Sequence, residues 1–418
     1  MRPFITLIIA QIMGGISFGV SFSMGALLAA HLGGTAYGSA GATLTTIGAA
    51  LFAIPLAKVV TNNGRRPAMT SGMSIGFGGT LLAFTAALLE SLPLLLAGFL
   101  LIGAASAVNL QARFAAADYS DPIHRGRNLS LVVWATTIGA VAGPNLITVA
   151  KTVGQWFGVD QYAGAYIICM TAQIIAIIVL RLGLPAPEPV TAATHTTNRS
   201  TIGKCAGIVI LGLACAHFGM VALMSMTPVH MHSHGSSLQL VGLTISLHVA
   251  GMYALAPVFG WLSDRLGRGS ALAVGYAMLL VSCVVLITVA DNHSAVMIAL
   301  ILLGLGWSGA FVASSALLID AVTVNQRPTA QGRSDFTMNI AGALGGLLAG
   351  PVIQAWGMPT LAAAVGAITV IVFLVVWRGL ATTAMADAQL IAANPLCAMS
   401  RRPPVATASH PELRTKNA

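Results

Sequence analysis

The sequence predicts an all-α membrane protein: twelve transmembrane helices in two pseudo-symmetric six-helix bundles. Three observations carry that expectation: an apolar excess, apolar runs at membrane-crossing length, and landmarks that recur in each half. Of 418 residues, 56% are hydrophobic and 7% charged. A soluble domain averages roughly 45–50% and about 25%. One aqueous core cannot hide that much apolar surface, so the bilayer is the expected solvent. The chain also carries 45 glycines. Set among Leu, Ile and Val, they suit helices that pack closely in lipid.

At about 20 residues per crossing, the expected spans are 4–30, 39–60, 68–89, 92–116, 128–150, 162–183, 204–228, 239–261, 270–290, 294–318, 335–355 and 359–378. The first run begins almost at the N-terminus, with no small-residue cleavage site behind it. It is expected to be a span rather than a cleaved leader. The second ends in AKVVTNNGRRP, the fourth in NLQARFAAAD, and the fifth contains GAVAGP. After the sixth comes PAPEPVTAATHTTNRSTIGK, rich in Pro and Thr, which reads as a linker between halves. The seventh runs into HMHSHG, the eighth ends in GWLSDRLGR, the tenth meets Asp320, and the eleventh contains GLLAGP. The expected domains are 1–184, a linker at 185–203, 204–378, and a tail at 379–418 with a short helix near 381–393. The five cysteines show no paired spacing and read as small apolar residues.

The net charge is +9. A basic balance suggests nucleic acid, but its distribution excludes that partner. With the N-terminus inside, 19 of 20 Lys and Arg fall on one side, and only Lys151 on the other. The positive-inside rule then places both termini and the linker in the cytoplasm of a plasma (inner) membrane protein.

The two halves repeat. Gly64 corresponds to Gly267 at an offset of 203, and Asp118 to Asp320 at 202. RGR at 125–127 precedes the fifth span as QGR at 331–333 precedes the eleventh. Pro144 and Pro351 close the two G-x3-G-P runs, 207 apart. With two six-helix halves, a central loop and G-x-L-S-D-R-x-G-R after the eighth span, residues 1–380 resemble the major facilitator superfamily. Gly139, Gly143 and Pro144 resemble its antiporter-type motif. The resemblance implies a rocker-switch transporter with a site between the halves. In the first half the loop motif has decayed: Ala57, Thr61 and Asn62 stand where Gly, Asp and Arg are expected.

A carboxylate is stabilised at a helix N-terminus. Asp264 is therefore expected to cap the helix that starts near Arg127 when one end of the protein closes. Arg268 is expected to pair with Asp320, and Arg65 with Asp118. Gly260 and Gly267 allow close approach and a tight turn, and Arg265 completes the charged latch. Polar groups inside the membrane are costly and mark function. No Asp or Glu sits mid-span; Asp118, Asp320 and Asp335 lie nearer the cytoplasmic end beside local Arg partners, which favours structural roles, so His217 and His248 are the proton-carrier candidates, both rings being expected to approach one cavity. Asn109, Gln111 and Arg113 in NLQARF, with Asn145, Asn339, Gln11, Gln173, Trp134 and Tyr253, are the remaining substrate-surface candidates. Arg113 is expected to meet a substrate anion, to pair with Asp118, or to reach the interface. The alternating His230, His232 and His234 lack a nearby acid or thiol, so they read as an external polar cap and no metal is expected.

There is no G-x4-G-K-[ST] loop and no nucleophile–base set, which argues against an ATP-driven pump and an enzyme. The expected protein is a monomeric secondary transporter in the lipid bilayer, without cofactor. It moves a small organic solute, by proton-coupled efflux. The rival expectations are a nutrient importer and a non-transporting sensor on the same fold.

Overall fold

A computed structural model describes residues 2–34, 37, 40–186 and 203–393. Among these residues there are no strands. The helices are α1 (Arg2–Gly33), α2 (Ala40–Asn63), α3 (Arg65–Leu88), α4 (Leu92–Asp118), α5 (Arg125–Asn145), α6 (Ile147–Phe157) and α7 (Gln161–Gly183). The second half comprises α8 (Lys204–Ser233), α9 (Leu238–Tyr253), α10 (Ala256–Arg265), α11 (Arg268–Thr288), α12 (His293–Asp320) and α13 (Arg327–Ala393). Ten of the described helical stretches are long and apolar enough to cross a membrane. The last of these is 58 residues long and breaks at Gly357, where φ is +79, so it makes two crossings. With α5, the total is twelve.

Local chemistry sets the ends. Asp160 begins α7 by accepting the amide N–H of Ala163 at 2.7 Å. Asn292 begins α12 by accepting those of Ser294 and Ala295. Gly158 ends α6 in the left-handed region, with φ +68. Three expected spans differ in detail. The fifth, expected at 128–150, breaks between α5 and α6 at Leu146. The eighth is two helices, because Pro257 follows the break at Ala254–Leu255 and has no amide hydrogen to continue the ladder. The eleventh begins at Arg327, two turns before the expected 335, which puts Asp335 inside the helix. The linker and tail expectations fall largely on 187–202 and 394–418, outside the described residues.

Helices α1–α7 pack as one bundle and α8–α13 as another. Glycines permit the close crossings. A Cβ on Gly275 in α11 would lie 2.6 Å from the Ala310 nitrogen in α12. The bundles meet where α2 faces α13, α5 faces α9 and α10, and α4 faces α12 and α13. The charged loops all gather at one end of this seam, called the basic end below.

Candidate functional site

Two layers of polar contacts cross the seam at the basic end. The outer layer is built from the charged loops. Gly64 and Gly267 precede α3 and α11 with φ +85 and +92, so each chain turns sharply between two helices. That turn sets Arg65 at the start of α3 and Arg268 at the start of α11. Arg65 holds Asp118 at 2.6 Å, and Arg268 reaches Asp320 at 3.4 Å. Each acid is also held from the opposite half, Asp118 by Arg327 at 3.2 Å and Asp320 by Arg125 at 2.9 Å. Asp264 accepts the backbone N–H of Gly126 at 3.1 Å and of Arg127 at 2.8 Å, across the seam, and pairs with Arg268. Its negative charge thus sits on the positive end of α5. Gly260 makes room: a Cβ there would lie 2.7 Å from the Gly126 carbonyl oxygen. Arg265 takes no part in these bonds and lies 5.6 Å above the Trp261 ring.

The structure corrects the repeat register. Arg125 and Arg327 do the same work, 202 residues apart, as Asp118 and Asp320 do. RGR therefore matches Arg327–Pro328–Thr329, one helical turn before QGR. Gly260 packs on Ser130 just as Ala57 packs on Gly332, which confirms the shift. The equivalent of Gly126 is then Pro328, which has no N–H to donate. Thr61, in place of the acid, turns its hydroxyl back to the Ala57 carbonyl. The first-half copy has thus lost both the carboxylate and one of its two donors. Arg65 instead donates to Gln331 across the seam at 2.6 Å.

The inner layer lies about a turn and a half deeper. Arg113 of α4 pairs with Asp335 of α13 at 2.6 Å, both nearly fully buried. Its Nε donates to Ser315 at 3.0 Å, and its Nη1 to the Leu110 carbonyl. The guanidinium lies between Phe114 at 4.5 Å and Phe311 at 4.1 Å. Such stacking suits the planar arginine cation. The expected pairing with Asp118 does not occur, because Asp118 faces outward to Arg65 and Arg327. Beyond Phe311 an aromatic ladder continues. Phe311 stacks on Trp307 at 4.5 Å, and Trp307 meets Tyr253 edge-on at 5.9 Å. The Trp307 indole N–H donates to His217 Nδ1 at 2.9 Å.

The remaining candidates divide clearly. His217 lies against Gly342 of α13 and belongs to this ladder. His248 does not share its surroundings: it is buried against α12, with Nδ1 2.7 Å from the Leu300 carbonyl oxygen. Asn339 donates to the Asp335 carbonyl one turn away. Gln111 is buried, with neither side-chain polar atom partnered. Asn109 and Gln173 line a small crevice within the first bundle, with Ser17 and Ser106. Gln173 and Gln11 are tied inside that bundle to Ser17 and Thr136. Trp134 is exposed. Gly139 crosses α1 so closely that a Cβ would overlap the Gly15–Ile16 backbone. The expectations at Gly143, Pro144, Asn145 and His232 fall on side chains outside those described. The His230 and His234 rings lie 4.2 Å apart at a 44° tilt, His230 bonds the Ala290 carbonyl, and His234 lies 3.6 Å from Asp291, an acid the sequence reading did not place near the cluster.

Reading the sequence set Asp335 aside as the partner of a local arginine, whereas it pairs with Arg113 of the other half, and it missed Trp307, Phe311 and Ser315. The last three occur in WSGAFVASS at a spacing of four, one face of a single helix.

The comparisons with known proteins agree with this architecture. The profile described as Major Facilitator Superfamily matches residues 7–204 and 209–405. The chain is 36% identical over 367 residues to the uncharacterized MFS-type transporter YddS of Bacillus subtilis (strain 168), covering 83% of this chain and 84% of that one. It is 28% identical over 369 residues to the riboflavin transporter RfnT of Brucella anthropi, covering 86% and 91%. The crystal structure of the transporter FucP in the outward conformation superposes with a TM-score of 0.71 at 15% identity, covering 90% and 98%.

Proposed function

The chain belongs to the major facilitator superfamily, and on that premise we propose that it moves a small organic solute across the plasma membrane by alternating access. Family membership makes it a multi-pass membrane transporter and not an enzyme. The finer reading rests on the seam. Its two polar layers join the halves at one end only through groups that must separate when that end opens. The one-sided Lys and Arg count makes this end cytoplasmic, so the described state is shut towards the cytoplasm. Asp264 on the α5 N-terminus, with Arg125, Arg327, Asp118 and Asp320, is the latch of this state. Transport proceeds by efflux in exchange for protons, a direction supported by the G-x3-G-P run and by the tight Gly139 crossing. His217, His248, Arg113 and the neutral residues Asn109, Gln111, Asn145 and Asn339 are the substrate and proton candidates. The working unit is a monomer, with both termini in the cytoplasm.

The test is a broad solute screen, comparing accumulation in cells with and without the protein, plus and minus a proton uncoupler. Lower accumulation that the uncoupler reverses supports efflux. A second reading, uptake of a nutrient, is favoured by the similarity to a riboflavin transporter across most of the chain. Riboflavin is therefore included in the screen, and its faster entry would overturn efflux. No solute moving above the control would overturn transport altogether.

A further inference from the structure

We propose that Asp335 is a proton-sensitive switch on the gate at the basic end, charged while Arg113 of the opposite half is paired with it and neutral once the two are parted. The inference rests on the alternating access proposed above, with the basic end as the cytoplasmic gate. It starts from an ion pair that is split between the two moving bodies. Arg113 belongs to α4 and Asp335 to α13, and they meet at 2.6 Å with side-chain exposures of 1% and 2%. Every other strong bond of Arg113 beyond its own helix also goes to the second half, namely the one to Ser315. Opening the basic end must separate α4 from α13, and then both charges lose their partners together.

The consequences for the two charges differ. An arginine keeps its proton under all accessible conditions. Arg113 also retains its Leu110 carbonyl and the Phe114 face, both on its own helix. Asp335 has no cation paired with it on its own helix: Arg327 lies about two turns away, Arg333 is exposed, and Asn339 bonds the Asp335 carbonyl rather than its carboxylate. An unpaired carboxylate among apolar side chains, short of full hydration, is held more cheaply in its neutral form. As the basic end opens, Asp335 Oδ takes a proton from water entering the seam, forming one O–H bond. As it closes, Arg113 restores the carboxylate form, and the proton returns to the water that leaves the seam on the same side.

The other groups around the pair do not replace this exchange. Arg65 on α3 adds positive charge from the outer layer but is bound to Asp118 and Gln331. Lys58 on α2 is exposed, and Arg268 on α11 is engaged with Asp264 and Asp320. His217 on α8 faces Trp307, and Tyr253 on α9 meets the edge of the same ring. The sign follows directly. The ionised form favours the closed basic end and the neutral form favours the open one, so acid shifts the population towards opening.

The test is a pH titration of the conformational equilibrium in full-length protein in nanodiscs, without substrate. Spin labels at Leu182 and Leu266, one in each half, report opening. For the wild type, the open-to-closed ratio should rise as pH falls from about 9 to 5, by up to about tenfold per pH unit for one linked proton. Asp335→Asn should be shifted to the open state and insensitive to pH. His217→Gln and His248→Gln should keep the wild-type slope. If Asp335→Asn folds poorly with Arg113 unpaired, the double variant Arg113→Met with Asp335→Asn removes both charges and should also be flat. A flat wild-type titration, or an Asp335 variant that keeps the slope, overturns the proposal. Because no substrate is present, a failed solute screen does not decide this experiment, and a flat titration leaves the screen intact.

Discussion

Asp264→Asn tests the outer layer most directly. The substitution keeps size and one acceptor oxygen but removes the charge. In the closed state the Asp264 side chain is 12% exposed. It accepts two backbone amides, at 3.1 and 2.8 Å, from the first turn of α5. A carboxylate at a helix N-terminus contributes about 0.3–1 kcal/mol at an open surface and up to ~2 kcal/mol when partly buried. The burial of Asp264 puts it near the upper value. A loss of about 1.5–2 kcal/mol shifts the closed-to-open ratio by roughly 10–30-fold, since 1.36 kcal/mol is a factor of ten. The bonds lost join α10 to α5 across the seam, so the effect falls on the conformational equilibrium more than on the folding of either bundle. Electron spin distances between labels at Leu182 and Leu266 would report the shift, and transport should slow at normal expression. An unchanged distance distribution would refute the latch and leave these charges as topology signals. The reciprocal variant sharpens the test. Thr61→Asp supplies the missing acid, but Pro328 offers no amide, so it should change the ratio by less than about twofold.

Four further outcomes follow. Arg113→Met leaves Asp335 buried and unpaired, which should destabilise the closed protein by about 3–5 kcal/mol in a thermal melt. Replacing both members by apolar residues of similar size should recover most of that loss. Gly260→Ala should weaken closure without unfolding either bundle, because the added methyl meets Ser130 and the Gly126 carbonyl across the seam; full crosslinking across the basic end would contradict this. Gly139→Val should lower the melting temperature by several degrees, since α1 and α5 cannot approach around a branched side chain, and an unchanged melt would show that the crossing is loose. For topology, a single cysteine at position 232 should react with an impermeant reagent from outside intact cells, and labelling only after permeabilisation would reverse the orientation.

Much of this molecule was legible because the membrane makes demands that one residue at a time can answer. Twelve spans follow from apolar length, and the charged end of the seam from where Lys and Arg accumulate. Asp264, Gly267, Arg268 and Asp320 stand out because charge is rare in this chain and the signals recur in order. Boundaries were less legible where a single residue interrupts a continuous apolar run. Leu146 carries no break signal of its own, and the start of α13 lies in polar sequence that a hydropathy reading assigns to a loop. The register of the repeat shows the same limit. QGR and RGR match as letters, but Arg327 and Arg125 match in action, and only the contacts to Asp118 and Asp320 distinguish the two alignments.

The sequence by itself determined a twelve-helix membrane fold, its repeat and its charged end. Those properties depend on local composition and on spacing along the chain. Only the tertiary structure decided that Arg113 serves Asp335, 222 residues away, rather than Asp118, five residues on. An arginine finds its partner by which helix faces share a seam, not by sequence distance. The same holds for the histidines: identical mid-span positions read alike, yet His217 joins an aromatic ladder while His248 bonds a carbonyl in its own bundle. The physical reason is that helix rotation and bundle docking, set by glycine crossings and packed side chains across the whole molecule, determine what each polar group meets.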